Sequence, residues 1–303
     1  MKMSEAVTVF LGDKKPATAA VYRDILRSLQ KYLDDCDVCD VTRMHLKRYQ
    51  SYLRARNWKG KPLSQATINK YAKTTRVFFN WLKDEGVISE SPGGAMVLIR
   101  VNNYVSADKA ASDHEFASLR QYFIQEGKHR NLALLLFLND TGCRVGGAAR
   151  LPVSDVDFDN MRAIVTEKGD KTRAVTFGRE CRKALRFWLD YRNASGGYVF
   201  SRDGSAIKGS GLSRALRRAS QRLGLRNVSA HKFRNRKGFK LSKSRVPLTH
   251  AQRIMGHSSP STTAAFYYTN DDELIESINR ELIEREEKLA TPLHIDFSQK
   301  DTG

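Results

Sequence analysis

Only one stretch of this 303-residue chain alternates apolar and polar residues cleanly: "RAIVTEKGDKTRAVTF", Arg162 to Phe177. Its halves, about Arg162 to Glu167 and Thr172 to Phe177, flank Gly169-Asp170 as two β-hairpin arms flank a turn. Every other patterned segment repeats at helical spacing, and no internal repeat or low-complexity tract intervenes. The expected fold is therefore mainly α with a small antiparallel β-sheet.

The helical segments fall into two groups. In the first, "TAAVYRDILRSLQKYL" sets Val21, Ile25, Leu29 and Leu33 four residues apart, a candidate buried stripe. "TRMHLKRYQSYLRAR" has Thr42 in a capping position and Leu46, Tyr49 and Leu53 on one face. "SQATINKYAKTTRVFFNWLKDEG" starts at Ser64, turns Ile68, Tyr71, Phe78 and Trp81 inward and stops at Gly86, leaving Lys61, Lys70, Lys73 and Arg76 for a basic surface. Pro92, Gly93 and Gly94 then break the period. We expect a helical domain over residues 1–95, a linker over 96–110 and a second domain over 111–303. That second domain opens on a Ser112/Glu115 capping box and an apolar helix, "NLALLLFLNDTG", ended by Gly142.

Charge narrows the function. The net charge is +19 and the pI near 9.9, an imbalance that calls for a polyanionic partner. From Ser201 to His257 there are fifteen Lys and Arg against a single acid, Asp203. The run "SAHKFRNRKGF", Ser229 to Phe239, is the densest part, and "NDDELIESINRELIEREEK" beyond it is acidic. No apolar run approaches the ~20 residues that span a bilayer, and the N-terminus does not read as a secretory signal, so a cytoplasmic protein is expected. Four cysteines make no disulfide framework, and the lone Cys36/Cys39 pair lacks the further ligands a zinc site requires. No nucleotide loop or metal motif stands out, so no cofactor is expected.

Five places offer chemistry toward a phosphodiester. Arg144 follows a glycine stop in "NDTGCRVGGAARL"; Lys168 sits at the hairpin tip; His231 and Arg234 lie three apart on one helical face. His257 follows Gly256, and "TTAAFYYTN" offers Tyr267 and Tyr268. Phosphoryl transfer asks for such groups. Guanidiniums match the oxygens of a phosphorane, a tyrosine oxygen is a competent nucleophile once activated, and lysine and histidine handle the protons. Taken singly, each has an ordinary reading as a solvated lysine, a cap, an ion-pair arginine or a core tyrosine. Their order changes that reading.

That order and its contexts resemble the tyrosine recombinase (phage integrase-like) family over nearly the whole chain. "TGCRVGGAARL" is similar to the family's TG-x-R box, "EKGDKTRAVTF" to its GKG-x-K-x-R hairpin, "HKFRNRKGF" to its HxLRH helix, and "RIMGHSSPSTTAAFYY" to its LGHSS-x-x-TT-x-x-x-Y ending. The resemblance implies that residues 1–95 form a core-binding domain clamping duplex DNA and 111–303 the catalytic domain. It makes Arg144 and Arg234 the phosphate-gripping pair, Lys168 (in preference to Lys171) the general acid, His231 a proton-transfer partner and His257 a donor to the scissile phosphate. Tyrosine attack would leave a 3′-phosphotyrosine link and a free 5′-hydroxyl, with no need of metal or ATP. It implies a DNA-associated protein that self-associates into a tetramer on paired sites by docking an acidic C-terminal helix carrying Leu274, Ile278 and Leu282, a helix whose spacing equally suits packing on its own domain.

Three departures stand against the pattern. Gly146-Gly147 occupy the place of an expected acidic residue, leaving Arg144 less well oriented, and Asn235 replaces a histidine. Counting from His257, nine residues reach Phe266, ten reach Tyr267 and eleven reach Tyr268. Tyr267 is taken as the nucleophile and Tyr268 as the alternative. In "SAHKFRNRKGF", Lys232, Arg236 and Lys237 are expected to touch phosphate. The rival readings are a non-catalytic DNA-binding module on the same fold and a strand-passage enzyme of the topoisomerase IB type.

Overall fold

The computed structural model describes residues 1–58, 60–101, 105–167, 169–192, 194–267, 279 and 283. The chain divides into two compact units, Met1–Asn102 and Asn103–Gly303.

The first unit is built on helices α1 (Met3–Gly12), α2 (Pro16–Tyr32), α3 (Arg43–Ala55) and α4 (Gln65–Asp84), with a two-residue pairing of β1 (Asn57–Trp58) and β2 (Lys61–Pro62) between the last two. Thr42 and Ser64 accept the backbone N–H groups of His45 and Thr67 and so start α3 and α4. Helix α1 was not expected. It has no capping side chain, and its start is held instead from far along the chain, by Met3 N–H to Cys36 O at 3.1 Å and Ser4 N–H to Asp35 Oδ1 at 2.7 Å. Its Met3 and Phe10 are buried, and Phe10 meets the edge of Phe78 with ring centres 5.4 Å apart.

The α2 stripe differs from the expectation. Ile25 and Leu29 are buried, but Val21 is exposed and Leu33 only half-buried, while Ala19 and Leu26 complete the inner face. The reason is geometric: each four-residue step overshoots a full turn by about 40°, so a strict four-residue series walks off its own face. Arg76 is likewise not a free basic residue, since its Nε donates to Met96 O at 3.0 Å. The span 96–110, expected as a linker, is tied down at both ends. Val97 and Ile99 bond Gln50 and Asn69 of the first unit, whereas Val105 and Lys109 bond Ala265 and Asn235 of the second.

The second unit is mainly α with a small antiparallel sheet. Helices α5 (Asp113–Gln125), α6 (His129–Thr141) and α7 (Val145–Ala149) precede the strands β3 (Val156–Asp157), β4 (Arg162–Thr166) and β5 (Thr172–Thr176), which pair in that order. Helices α8 (Arg179–Tyr191), α9 (Gly209–Arg222), α10 (Ala230–Lys243), α11 (Leu248–Met255) and α12 (Pro260–Ala264) follow. Apolar all round, α6 is the central rod: Ala133 to Leu138 are all buried, as a helix without a polar face must be. The hairpin register pairs Thr166 with Thr172, and Gly169 and Asp170 both take positive φ (+80° and +56°) to turn the chain. Alternation sends Ala163 and Val165 inward and leaves Ile164 outside. Strand β3, two residues long, is too short to announce itself by alternation.

A helical pattern also continues in the sequence from Ser261 into the acidic segment. In the structure α12 ends at Ala264 and a turn follows through Tyr267. The acidic helix with Leu274, Ile278 and Leu282 lies outside the described residues. No helix among those described is long and apolar enough to cross a membrane.

The α2 geometry makes a direct prediction. Ile25→Ala should cost about 2–5 kcal/mol in urea unfolding, whereas Val21→Ala should change stability by less than about 0.5 kcal/mol. Equal losses would contradict the inner face described above.

Candidate active site

Two helices end in glycine where the site begins. Gly142 closes α6 with φ +59° and Gly256 closes α11 with φ +64°, the left-handed conformation that only glycine adopts cheaply. Each ending leaves carbonyls unused by its helix, and Arg234 of α10 takes one from each: Nη1 donates to Gly142 O at 2.8 Å and Nη2 to Met255 O at 2.6 Å. The guanidinium is 3% exposed and lies at the negative ends of two helix dipoles. Burial and then the Arg144 charge lower its pKa to about 10, so it stays protonated at neutral pH.

Arg144 is the first residue after the Gly142–Cys143 turn and the N-cap of α7, which projects its guanidinium from a helix start. Its side chain pairs with Glu167 Oε2, and its own backbone N–H donates to Glu167 Oε1 at 2.9 Å. The same Oε1 lies 3.4 Å from Arg173 and 3.7 Å from Arg234. One carboxylate thus joins three guanidiniums. Burial alone would raise the Glu167 pKa, but the Arg144 N–H and the three positive charges outweigh it and hold the group below the usual carboxylate range.

The two histidines face this charge. His231, in the first turn of α10, is exposed at its surface, yet partial desolvation, then Arg234 and Arg144, lowers its pKa. His257, one residue past α11, is buried, and its Nδ1 lies 2.8 Å from Thr263 Oγ1 of α12. Desolvation first, then Arg234, Arg144 and Arg173, lowers its pKa to about 4, so the ring is neutral at physiological pH. Arg144, His231, Arg234 and His257 therefore gather at one place, with positive charge in excess of negative. Such a cradle is suited to a tetrahedral oxyanion such as phosphate.

Lys168 and Tyr268 lie outside the described residues. Tyr267 packs against Leu241, Val246, Ala251 and Met255, and its hydroxyl donates to Val246 O at 2.5 Å. Among the described residues no hydrogen bond joins that hydroxyl to the guanidiniums, and burial raises its pKa. The preceding Phe266 is held tightly: a Cβ at Gly238 would fall 2.8 Å from its ring, which explains a glycine in the middle of α10.

Of the three cations expected to touch phosphate, two are engaged inside the protein and the third is half-buried. Arg236 is buried and donates to Asn139 Oδ1 and Ala111 O, both at 3.0 Å, and it pairs with Asp113. Lys232 lies 3.4 Å from the buried Glu115. Lys237 is half-buried, with its stem packed over Gly142. A run of basic residues on a helix could not reveal which members face the core. Sequence reasoning also missed Glu167, Arg173 and Thr263. Glu167 carried one unused signal: an acid placed directly beside the hairpin lysine.

The model of the phage integrase family matches residues 112–273, and that of the phage integrase SAM-like domain matches residues 3–95. A tyrosine recombinase XerC of Corynebacterium glutamicum is 26% identical over 275 residues, spanning 88% of this chain and 86% of the relative. The XerC of Pediococcus pentosaceus is 27% identical over 283 residues, covering 87% and 91%. Among solved structures, the Tn1549 transposon integrase in complex with transposon right end DNA superposes with a TM-score of 0.72 at 17% identity, over 93% of this chain and 100% of that one, a likeness of fold.

Because the folded His257 pKa of about 4 lies below its ordinary 6.5, the unfolded chain binds a proton in that window that the folded chain does not. The stability from burying a neutral ring is then complete above pH 6.5 and lost as the pH falls through about 4. The loss should reach up to about 3 kcal/mol, and His257→Gln should flatten this part of the stability–pH curve measured by urea unfolding. An unchanged slope in the variant would remove His257 as its source.

Proposed function

Because this chain belongs to the phage integrase family, we propose that it is a site-specific DNA recombinase that cuts and rejoins strands through a tyrosine, with Tyr267 as the nucleophile. The observation that carries the reading is the cradle itself: Arg144 and Arg234 joined by Glu167, with two histidines of depressed pKa beside them. A chain that merely bound DNA would gain little from gathering two arginines, a carboxylate and two histidines at one place, so the non-catalytic alternative is not favoured.

In the proposed reaction the scissile phosphate sits between Arg144 and Arg234, whose charges offset the extra negative charge of the pentacoordinate state. The tyrosine phenol passes its proton to the neutral His231, its oxygen forms a bond to phosphorus, and the bond to the 5′-oxygen breaks. That oxygen leaves as a hydroxyl with a proton from Lys168, while His231 takes part in proton transfer. A neutral His257 that accepts the Thr263 hydroxyl proton at Nδ1 keeps its own proton on Nε2, free to donate to a phosphate oxygen. The phosphotyrosine keeps the energy of the broken bond, so a partner strand's 5′-hydroxyl reverses the step without ATP. Tyr267 must first leave Val246 O, a hydrogen bond worth about 1 kcal/mol net. The acidic segment after Asn270 is proposed to dock on a neighbouring copy in a DNA-bound tetramer.

A nicked suicide duplex tests the chemistry. The native chain should form a covalent adduct, Tyr267→Phe should form none, and mass spectrometry should find DNA on Tyr267. Adduct on Tyr268 would move the nucleophile by one residue, and no adduct at any site tried would sink the enzymatic reading. Arg144→Ala should slow cleavage by about 10²–10³-fold. A chain ending at Asn270 should still bind DNA but lose recombination between paired sites; full recombination by that truncation would remove the docking role.

A further inference from the structure

The sequence places glycine at 147, and the fold explains where the missing side chain went. A Cβ built on Gly147 would lie 3.4 Å from Glu167 Cγ and 3.5 Å from Thr166 O. An alanine would touch the glutamate in ordinary contact, and a longer side chain directed toward Arg144 would meet the Glu167 side chain. Two positions, one on α7 and one at the end of β4, therefore compete for a single space beside Arg144, and this chain fills it from the strand.

We infer that Glu167 is the positioning carboxylate of the arginine cradle, delivered from the hairpin into space that Gly147 leaves open. It binds Arg144 twice, through the backbone N–H and the guanidinium, so it fixes both the turn that starts α7 and the direction of the side chain. Its other contacts reach Arg173 and Arg234, placing one negative charge at the junction of three positive ones. Glu167 also donates its backbone N–H to Lys171 O at 2.9 Å, extending the hairpin pairing by one step. A single side chain thus sets the position of Arg144 relative to Arg234 and ties the hairpin to both. Glu167 touches no substrate in this role; it acts through the arginines.

The inference rests on the recombinase reading for its catalytic readout and on packing for its structural one, so both are measured. Four 303-residue chains are compared: native, Glu167→Gly, Gly147→Glu and the double variant. Thermal melting, affinity for duplex DNA and single-turnover cleavage of the nicked site are read for each. Glu167→Gly should slow cleavage about 100-fold while DNA affinity changes far less, the mark of misplacement rather than lost binding. Gly147→Glu alone forces two carboxylates into one space and should melt earlier than native. The double variant should melt above both single variants and cleave at least about tenfold faster than Glu167→Gly. If Glu167→Gly fails to fold, the isosteric Glu167→Gln, which keeps the shape and loses the charge, decides the catalytic arm by the same 100-fold loss.

Native-rate cleavage by Glu167→Gly or Glu167→Gln overturns the positioning role. A double variant no better than its worse parent in melting and cleavage overturns the shared space. Absence of adduct from the native chain is a different failure, that of the recombinase reading, and the melting comparison still decides whether positions 147 and 167 exchange one carboxylate.

Discussion

A permanent cation inside a protein is expensive unless its surroundings are arranged for it, and Arg234 sets that requirement for the second unit. Two helices must end against it, each with a left-handed glycine, so that Gly142 O and Met255 O point inward. A carboxylate must stand close by, which is the place of Glu167. Removing one partner of such a buried group typically costs about 3–5 kcal/mol, because the charge that remains has no water to turn to. The positions of α6, α10 and α11 and the end of β4 are thereby coupled. Arg144 and His257 hang from the same framework, one following the Gly142 turn and the other following Gly256.

The surrounding basic residues divide into two populations with different work. Arg192 illustrates the inner one: it is buried and donates to the carbonyls of Tyr198, Val199, Ser201 and Gly196, gathering a loop around its fork of donors. Arg236 does the same for Ala111, Asn139 and Asp113. These arginines contribute to the net charge of +19 but have little reach toward a polyanion. The charge offered to DNA is consequently smaller than composition suggests, and Lys240 of α10 is among the residues that remain exposed.

What could be read in advance followed from local rules. The hairpin was visible because period-two alternation and a Gly-Asp turn agree, and the starts of α3, α4 and α5 because a capping side chain acts within three residues of itself. Arg144 and His257 could be picked out because each follows a glycine stop, His231 because it opens a helix, and Arg234 because it lies three residues farther along the same face. Helix α1 was hidden because its anchor is Asp35, more than thirty residues away. Glu167 was hidden because its partners come from three separate segments, a convergence that no one-dimensional pattern carries. The exposure of Val21 and the burial of Arg236 failed for a shared reason: helical phase and tertiary neighbours decide which face is inside, and spacing alone approximates the first and ignores the second.

The fit of Arg173 against Gly256 has a mechanical consequence. The arginine, anchored in β5, extends its chain so close to the glycine that an added carbon would lie 2.7 Å from its Cδ and Nε, and its guanidinium binds Ile254 O. Strand and helix α11 are thus keyed together without slack, and a lever pushing on the hairpin would carry the adjoining His257 along with it.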